Sequence, residues 1–188
     1  MITVERTVFL SILTLIIYVL GIYFQPEGII IFPFPIYPIF FLVVSIIYYI
    51  NERKIEKWSI LLPISGLFLL LGSMYLWEIL LSQNKLEAFI DLPVVDLSLL
   101  LSELLLFIWI VLQFATNKAR LTSIIGILLA GTYLTTIFLG DKKYEALALI
   151  VLFILSIFHE TSKSAKSFFG FIAFLSLSEW LTYYINNF

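Results

Sequence analysis

The stretch SLLLSELLLFIWIVL, from Ser98 to Leu112, places one carboxylate, Glu103, inside a run of leucines and other apolar residues. The whole chain has the same character: 62% of its 188 residues are hydrophobic, 13% are charged, and the mean hydropathy is +1.08. A globular protein is about half apolar and about a quarter charged, so this chain has too little polar surface to face water. The composition predicts an integral membrane protein.

Seven segments are apolar enough for a membrane-crossing helix, which needs about 20 residues with a range of roughly 17 to 25. They are residues 8–24, 30–50, 58–81, 94–116, 121–140, 144–159 and 166–185. The sequence therefore predicts an all-α, polytopic, compact bundle of about seven transmembrane helices. Six are possible because the sixth segment is short, and eight are also possible. Residues 1–188 are expected to form a single transmembrane domain without a soluble domain.

Three prolines begin the second segment, and proline lacks a backbone N–H. We expect an extended entry that becomes helical after Pro38; a kinked helix packed by its neighbours is the alternative.

The distribution of basic residues predicts the orientation. Eight lie at the N-terminus and in the connectors after the second, fourth and sixth segments, and three lie in the opposite connectors. The first group comprises Arg6, Arg53, Lys54, Lys57, Lys118, Arg120, Lys163 and Lys166, and the second Lys85, Lys142 and Lys143. We expect a multi-pass cell-membrane protein with a cytoplasmic N-terminus, an outside C-terminus and a first segment retained as a signal-anchor.

Several classes of function are disfavoured by what the sequence lacks. Every lysine lies in a connector, which argues against a retinal Schiff base, and a single histidine, His159, argues against a multi-histidine metal site. His159 is interpreted as an interfacial residue at a helix end. No basic run indicates nucleic acid, and no metal or cofactor is expected.

Two acids lie in the fourth segment. Asp96 and Glu103 are seven residues apart, close to two helical turns, so they share a helix face about 10 Å apart along the axis. Leu99, Leu100 and Phe107 complete that face, which is expected to point into the bundle because a carboxylate facing lipid would lack a partner.

Two further acids lie in the outer halves of their segments, Glu78 in the third and Glu179 in the seventh. Glu179 forms a polar stripe at helical spacing with Thr182, Tyr183 and Asn186. We predict an acidic, outward-facing cavity lined by Asp96, Glu103 and Glu179, with Glu78 at its rim and the stripe contributing to binding. The alternative is that the acids are protonated, or join helices near the headgroups without any functional role.

Two segments resemble the YhhN-like lysoplasmalogenases, small polytopic membrane proteins with a Gly-Asp pair in one span and a Ser-Asp pair in a late span. LFLLLGSMYL is similar to the first, with Gly72–Ser73 at the pair, and FIAFLSLSEWL to the second, with Ser178–Glu179. Ser73 replaces an acid, and Glu179 replaces an aspartate. The resemblance implies a lipid-like substrate and a site that includes Ser73 and Glu179.

Three functions remain open. The first is a lipid-directed hydrolase, or a degenerate relative of one. In the hydrolase, Glu103 or Glu179 is the general base on water, and a second, protonated acid is the general acid. The second is a transporter, ion or proton pathway, or membrane sensor that uses the same acids. The third is a structural subunit of a membrane complex. The expected partners are membrane lipids and a further copy of the chain or a membrane partner.

Overall fold

The computed structural model describes residues 36–52, 57–83, 93–115, 120–140 and 142–186. This part of the chain is helical apart from the turn at Gly140 and the connection over 159–162. The helices are α1 (Ile36–Glu52), α2 (Leu61–Gln83), α3 (Pro93–Ala115), α4 (Arg120–Leu139), α5 (Lys142–Phe158) and α6 (Lys163–Asn186), and a 3-10 turn (Lys57–Ile60) leads into α2. The described chain is therefore all-α, as predicted.

The helix bounds follow the apolar segments closely. From α2 to α6, each helix begins and ends within three residues of its predicted segment. The first predicted segment, 8–24, lies outside the described residues. Lys142 and Lys143 begin α5, and Lys163 and Lys166 lie in the first turn of α6, so these lysines belong to helix ends and not to free connectors.

The start of α1 corrects the prediction for the second segment. The helix begins at Ile36, two residues before Pro38, whereas the sequence indicated helix only after this proline. A proline in the first turn costs little, because the first N–H groups of a helix have no intrahelical acceptor. Pro38 therefore lies inside the helix without breaking it.

Three helical stretches are long and apolar enough to cross a membrane: Lys57–Tyr75, Asp96–Ala115 and Leu121–Leu139. The stretch Pro38–Glu52 is apolar but shorter. These lengths are consistent with a membrane location, since about 20 apolar residues span the hydrocarbon core.

The helices form two packing units. The N-terminal unit comprises the described residues of 20–106, and the C-terminal unit those of 107–188. In the N-terminal unit α1 packs on α2, and a Cβ added at Gly66 would lie 2.9 Å from the Leu42 Cα. Glycine therefore allows a close backbone approach between these two helices.

Aromatic rings fill the core of the C-terminal unit, in which α5 packs against both α4 and α6. The Trp109 ring lies 5.1 Å from Phe168 and 5.0 Å from Phe169, and Phe114 lies 5.6 Å from Phe169, between ring centroids. These contacts join the second half of α3 to the start of α6. At the far end of α4, Gly140 adopts a φ of 67°, a conformation that allows the helix to end in a tight turn.

Candidate functional site

Asp96 and Glu103 lie in α3 of the N-terminal unit, two turns apart. Asp96 is exposed in the first turn of the helix, and Glu103 is half-buried near its middle. Glu103 makes a polar or electrostatic interaction. The two acids therefore differ in environment, and the deeper one is the stronger candidate for a functional group.

The buried side of α3 includes part of the predicted face. Its covered side chains are Ser102, Leu106, Trp109, Ile110, Gln113 and Phe114, and Ile110 lies two turns beyond Glu103 on the face that was expected to point inward. A carboxylate in the first turn of a helix is stabilised by the N-terminal end of the helix dipole, so Asp96 does not need a partner inside the bundle. Glu103 directly follows Ser102 and lies at the edge of the buried face.

For the other predicted acidic and polar residues, the structure gives only the helix in which each one lies. Glu78 lies in α2, and Glu179, Thr182, Tyr183 and Asn186 lie in α6. Their side chains are outside the described part of the structure, so the common acidic cavity stays a prediction.

Ser73, which the YhhN-like resemblance includes in the site, is 4% exposed. Its hydroxyl donates a 2.9 Å hydrogen bond to the Leu70 carbonyl of its own helix. A Cβ added at the adjacent Gly72 would lie 3.2 Å from the Ser98 Cβ and 3.3 Å from the Leu99 side chain. Gly72 thus lies close to α3, and the Ser73 hydroxyl donates to the backbone of its own helix.

Six further buried serines donate in the same way to a carbonyl of their own helix. Each donates to a carbonyl three or four residues earlier; they are Ser45, Ser65, Ser102, Ser156, Ser167 and Ser178. Ser178 belongs to the second segment that resembles the YhhN-like proteins, and its hydroxyl donates to the Leu175 carbonyl in the same way.

A polar site that sequence reasoning missed lies at one end of the C-terminal unit. His159 directly follows α5 and is only 1% exposed. Its Nδ1 lies 2.7 Å from the Thr122 Oγ1 in the first turn of α4, and its ring centroid lies 5.1 Å from that of Phe114 in α3. The prediction of a helix-end position is confirmed, but no local pattern relates two residues 37 positions apart.

The environment of His159 favours its neutral form. Desolvation by burial lowers the pKa of His159; Glu160 opposes this shift, and Lys166 adds to it. The His159 Nε2 is buried and has no hydrogen-bond partner among the described residues. The imidazole is therefore a buried, titratable group with one nitrogen engaged and the other not.

Two carboxylates that the sequence analysis did not single out are also buried. Glu52, at the end of α1, is 5% exposed, and Glu145, in the first turn of α5, is also buried. The Glu52 Oε2 has no hydrogen-bond partner in the described ranges. Both acids lie at helix ends, where the apolar pattern is interrupted and gave no signal of burial.

Within the described ranges, no three His, Cys, Asp or Glu residues are grouped as metal ligands would be. No protein-family model, characterised protein or solved structure matches this chain.

Proposed function

We propose that the chain is a multi-pass protein of the cell membrane with about seven spans, a cytoplasmic N-terminus and an outside C-terminus. Three described helices of sufficient length and apolarity support the membrane location. The eight-to-three distribution of basic residues supports the orientation. The close correspondence between α2 to α6 and the predicted segments supports the span count.

Reporter fusions test the topology. A fusion at Lys118 should report the cytoplasm, and a fusion after Phe188 should report the outside, because α4, α5 and α6 lie between them. A fusion at Lys163 is the matched control and should agree with Lys118, because two helices separate them. A cytoplasmic signal from the C-terminal fusion would mean that the span count is wrong by one.

For the activity, we propose a lipid-directed hydrolase in which Glu103 is the general base. The observation that carries this proposal is the half-buried carboxylate in the middle of an apolar helix. A protein that retains an ionisable group at such depth usually gains function from it. Because the Ser73 hydroxyl donates to a backbone carbonyl, water activated by Glu103 is the nucleophile, and no acyl-serine forms.

The YhhN-like resemblance of the segments around Gly72 and Ser178 supports a lipid-like substrate for this hydrolase. The same resemblance is the reason to propose Glu179 in α6 as a candidate catalytic acid.

A second candidate is a proton or cation pathway, and the exposure of the two α3 acids favours it. Asp96 is exposed in the first turn, and Glu103 is half-buried two turns deeper, a separation of about 10 Å along the axis. An ion arriving at Asp96 would pass to Glu103 by moving along one helix. This arrangement is typical of acids that relay protons inside a bundle.

Lipid profiles of a deletion strain distinguish the two candidates. We expect a lysolipid to accumulate on deletion and to fall again with the wild-type gene and with Ser73→Ala, but not with Glu103→Gln. An unchanged lipid profile would overturn the hydrolase proposal. Glu103-dependent acidification of proteoliposomes holding a pH-sensitive dye would then favour the pathway, and its absence would leave the structural subunit.

A further inference from the structure

The Thr122–His159 pair lies where four helices of the C-terminal unit have their ends. Phe114 is next to the last residue of α3, Thr122 is in the first turn of α4, and His159 connects α5 to α6. One imidazole thus contacts α3 through its ring and α4 through Nδ1. We propose that His159 is a pH-sensitive latch, closed when the imidazole is neutral and opened by its protonation.

The connection that holds His159 is short and contains several hydrogen bonds. The His159 N–H donates to the Leu155 carbonyl at 3.0 Å, and the Thr161 N–H donates to the His159 carbonyl at 2.8 Å. The Ser162 hydroxyl accepts from the Ala165 N–H at 3.1 Å, which caps α6. The main chain at His159 is therefore tied to the end of α5 and to the start of α6, and the ring is held by Thr122 and Phe114.

The buried imidazole meets one hydrogen-bonding side chain among the described residues. In the imidazolium form both ring nitrogens are donors; the Thr122 Oγ1 accepts from Nδ1, and Nε2 meets no acceptor among the described residues. A buried donor without an acceptor is costly, and a buried charge is more so. Protonation therefore favours any conformation in which the ring reaches water.

The charged groups that act on the ring come from its own connection and from α6. Glu160 is adjacent and attracts an imidazolium, whereas Lys166 repels it. The Lys166 ammonium donates to the Ile157 carbonyl at 3.1 Å, which holds its charge near the end of α5. The N-terminal end of the α6 dipole also opposes a positive charge, and the C-terminal end of α5 favours it. Burial has the largest effect of all, and the pKa of His159 is therefore lowered.

The direction of the pH effect follows from linkage. Because the pKa of His159 is lower in the folded protein than its ordinary value of 6.5, the stabilising contribution is complete above that value. It is lost as the pH falls from 6.5 towards the lower folded-state pKa. Within this window, each fall of one pH unit raises the ratio of the open to the closed conformation by about tenfold.

Cysteine labelling measures the opening directly, because the chain contains no cysteine. Ser164 is buried in the first turn of α6, and its neighbour Lys163 is exposed. We expect the labelling rate of Ser164→Cys, divided by that of Lys163→Cys, to rise by up to about tenfold between pH 7.5 and pH 5.5. The ratio removes the pH dependence of the thiol reaction itself.

His159→Asn is the matched control, because its amide keeps a polar group near the position of Nδ1 but does not titrate. In this background the labelling ratio should not depend on pH. If the variant does not fold, His159→Gln and Thr122→Val provide the comparison; loss of the hydroxyl partner should raise the ratio already at pH 7.5. An equal rise in the wild-type and His159→Asn backgrounds, or no rise in either, would overturn the latch.

Discussion

Gly126→Ala should destabilise the C-terminal unit by about 1–3 kcal/mol, the usual cost of overpacking a core. A Cβ at this position would overlap the ring of Phe114. That ring is fully buried and is confined by His159 and Phe169, whose ring centroids lie 5.1 Å and 5.6 Å away. Because Phe114 cannot rotate away, α4 must move from α3.

Gly131→Ala is the matched control for this substitution. Gly131 lies in the same helix, and nothing lies within 4 Å of a Cβ added there. Alanine has the higher helix propensity, by roughly 1 kcal/mol in water, so this variant should be unchanged or slightly more stable. Thermal unfolding of both variants in one detergent compares them. Equal midpoints would contradict the packing of Gly126 against Phe114.

The helices were predictable because their ends are marked by local chemistry. Lys142 and Lys143 begin α5, and Gly140 ends α4 with a positive φ. The start of α1 was missed because a proline was taken as a boundary, although the first helical turn tolerates it.

The buried faces were not predictable in the same way. A helix that is apolar all round gives no periodic signal, so α3 offered no pattern to separate the face of Glu103 from that of Leu106 and Trp109. The acids alone were used, and the covered side includes Ile110, two turns beyond Glu103, as well as Ser102 and Leu106. The buried side follows the aromatic core, where Trp109 contacts Phe168 and Phe169.

The candidate sites also differ in whether the sequence alone could indicate them. Glu103 could be singled out from the sequence because an acid is costly inside an apolar segment, and the sequence shows both. The Thr122–His159 contact joins residues from different helices and depends on tertiary packing. Ser73 was included in the site because of a segment resemblance, and that role stays a prediction; its hydroxyl donates to the Leu70 carbonyl of its own helix.

Glu103 gives the second large effect that we expect. Glu103→Gln keeps the size and hydrogen bonding of the side chain but removes its ionisation. If Glu103 is the general base, activity should fall by about 10²–10⁴-fold, while expression and thermal stability stay near those of the wild type. Glu103→Leu should also be inactive but more stable, by up to about 3 kcal/mol, since a central acid is costly in a membrane helix.

The central claim is that the protein uses the ionisation of Glu103, and complementation tests it most directly. The deletion strain is supplied with wild type, Glu103→Gln, Glu103→Asp or Ser73→Ala at matched membrane levels, and the lipid profile and growth are measured together. We predict that Glu103→Gln fails, that Ser73→Ala restores the wild-type profile, and that Glu103→Asp restores it in part. Full complementation by Glu103→Gln would contradict the account and leave this carboxylate as a buried structural acid.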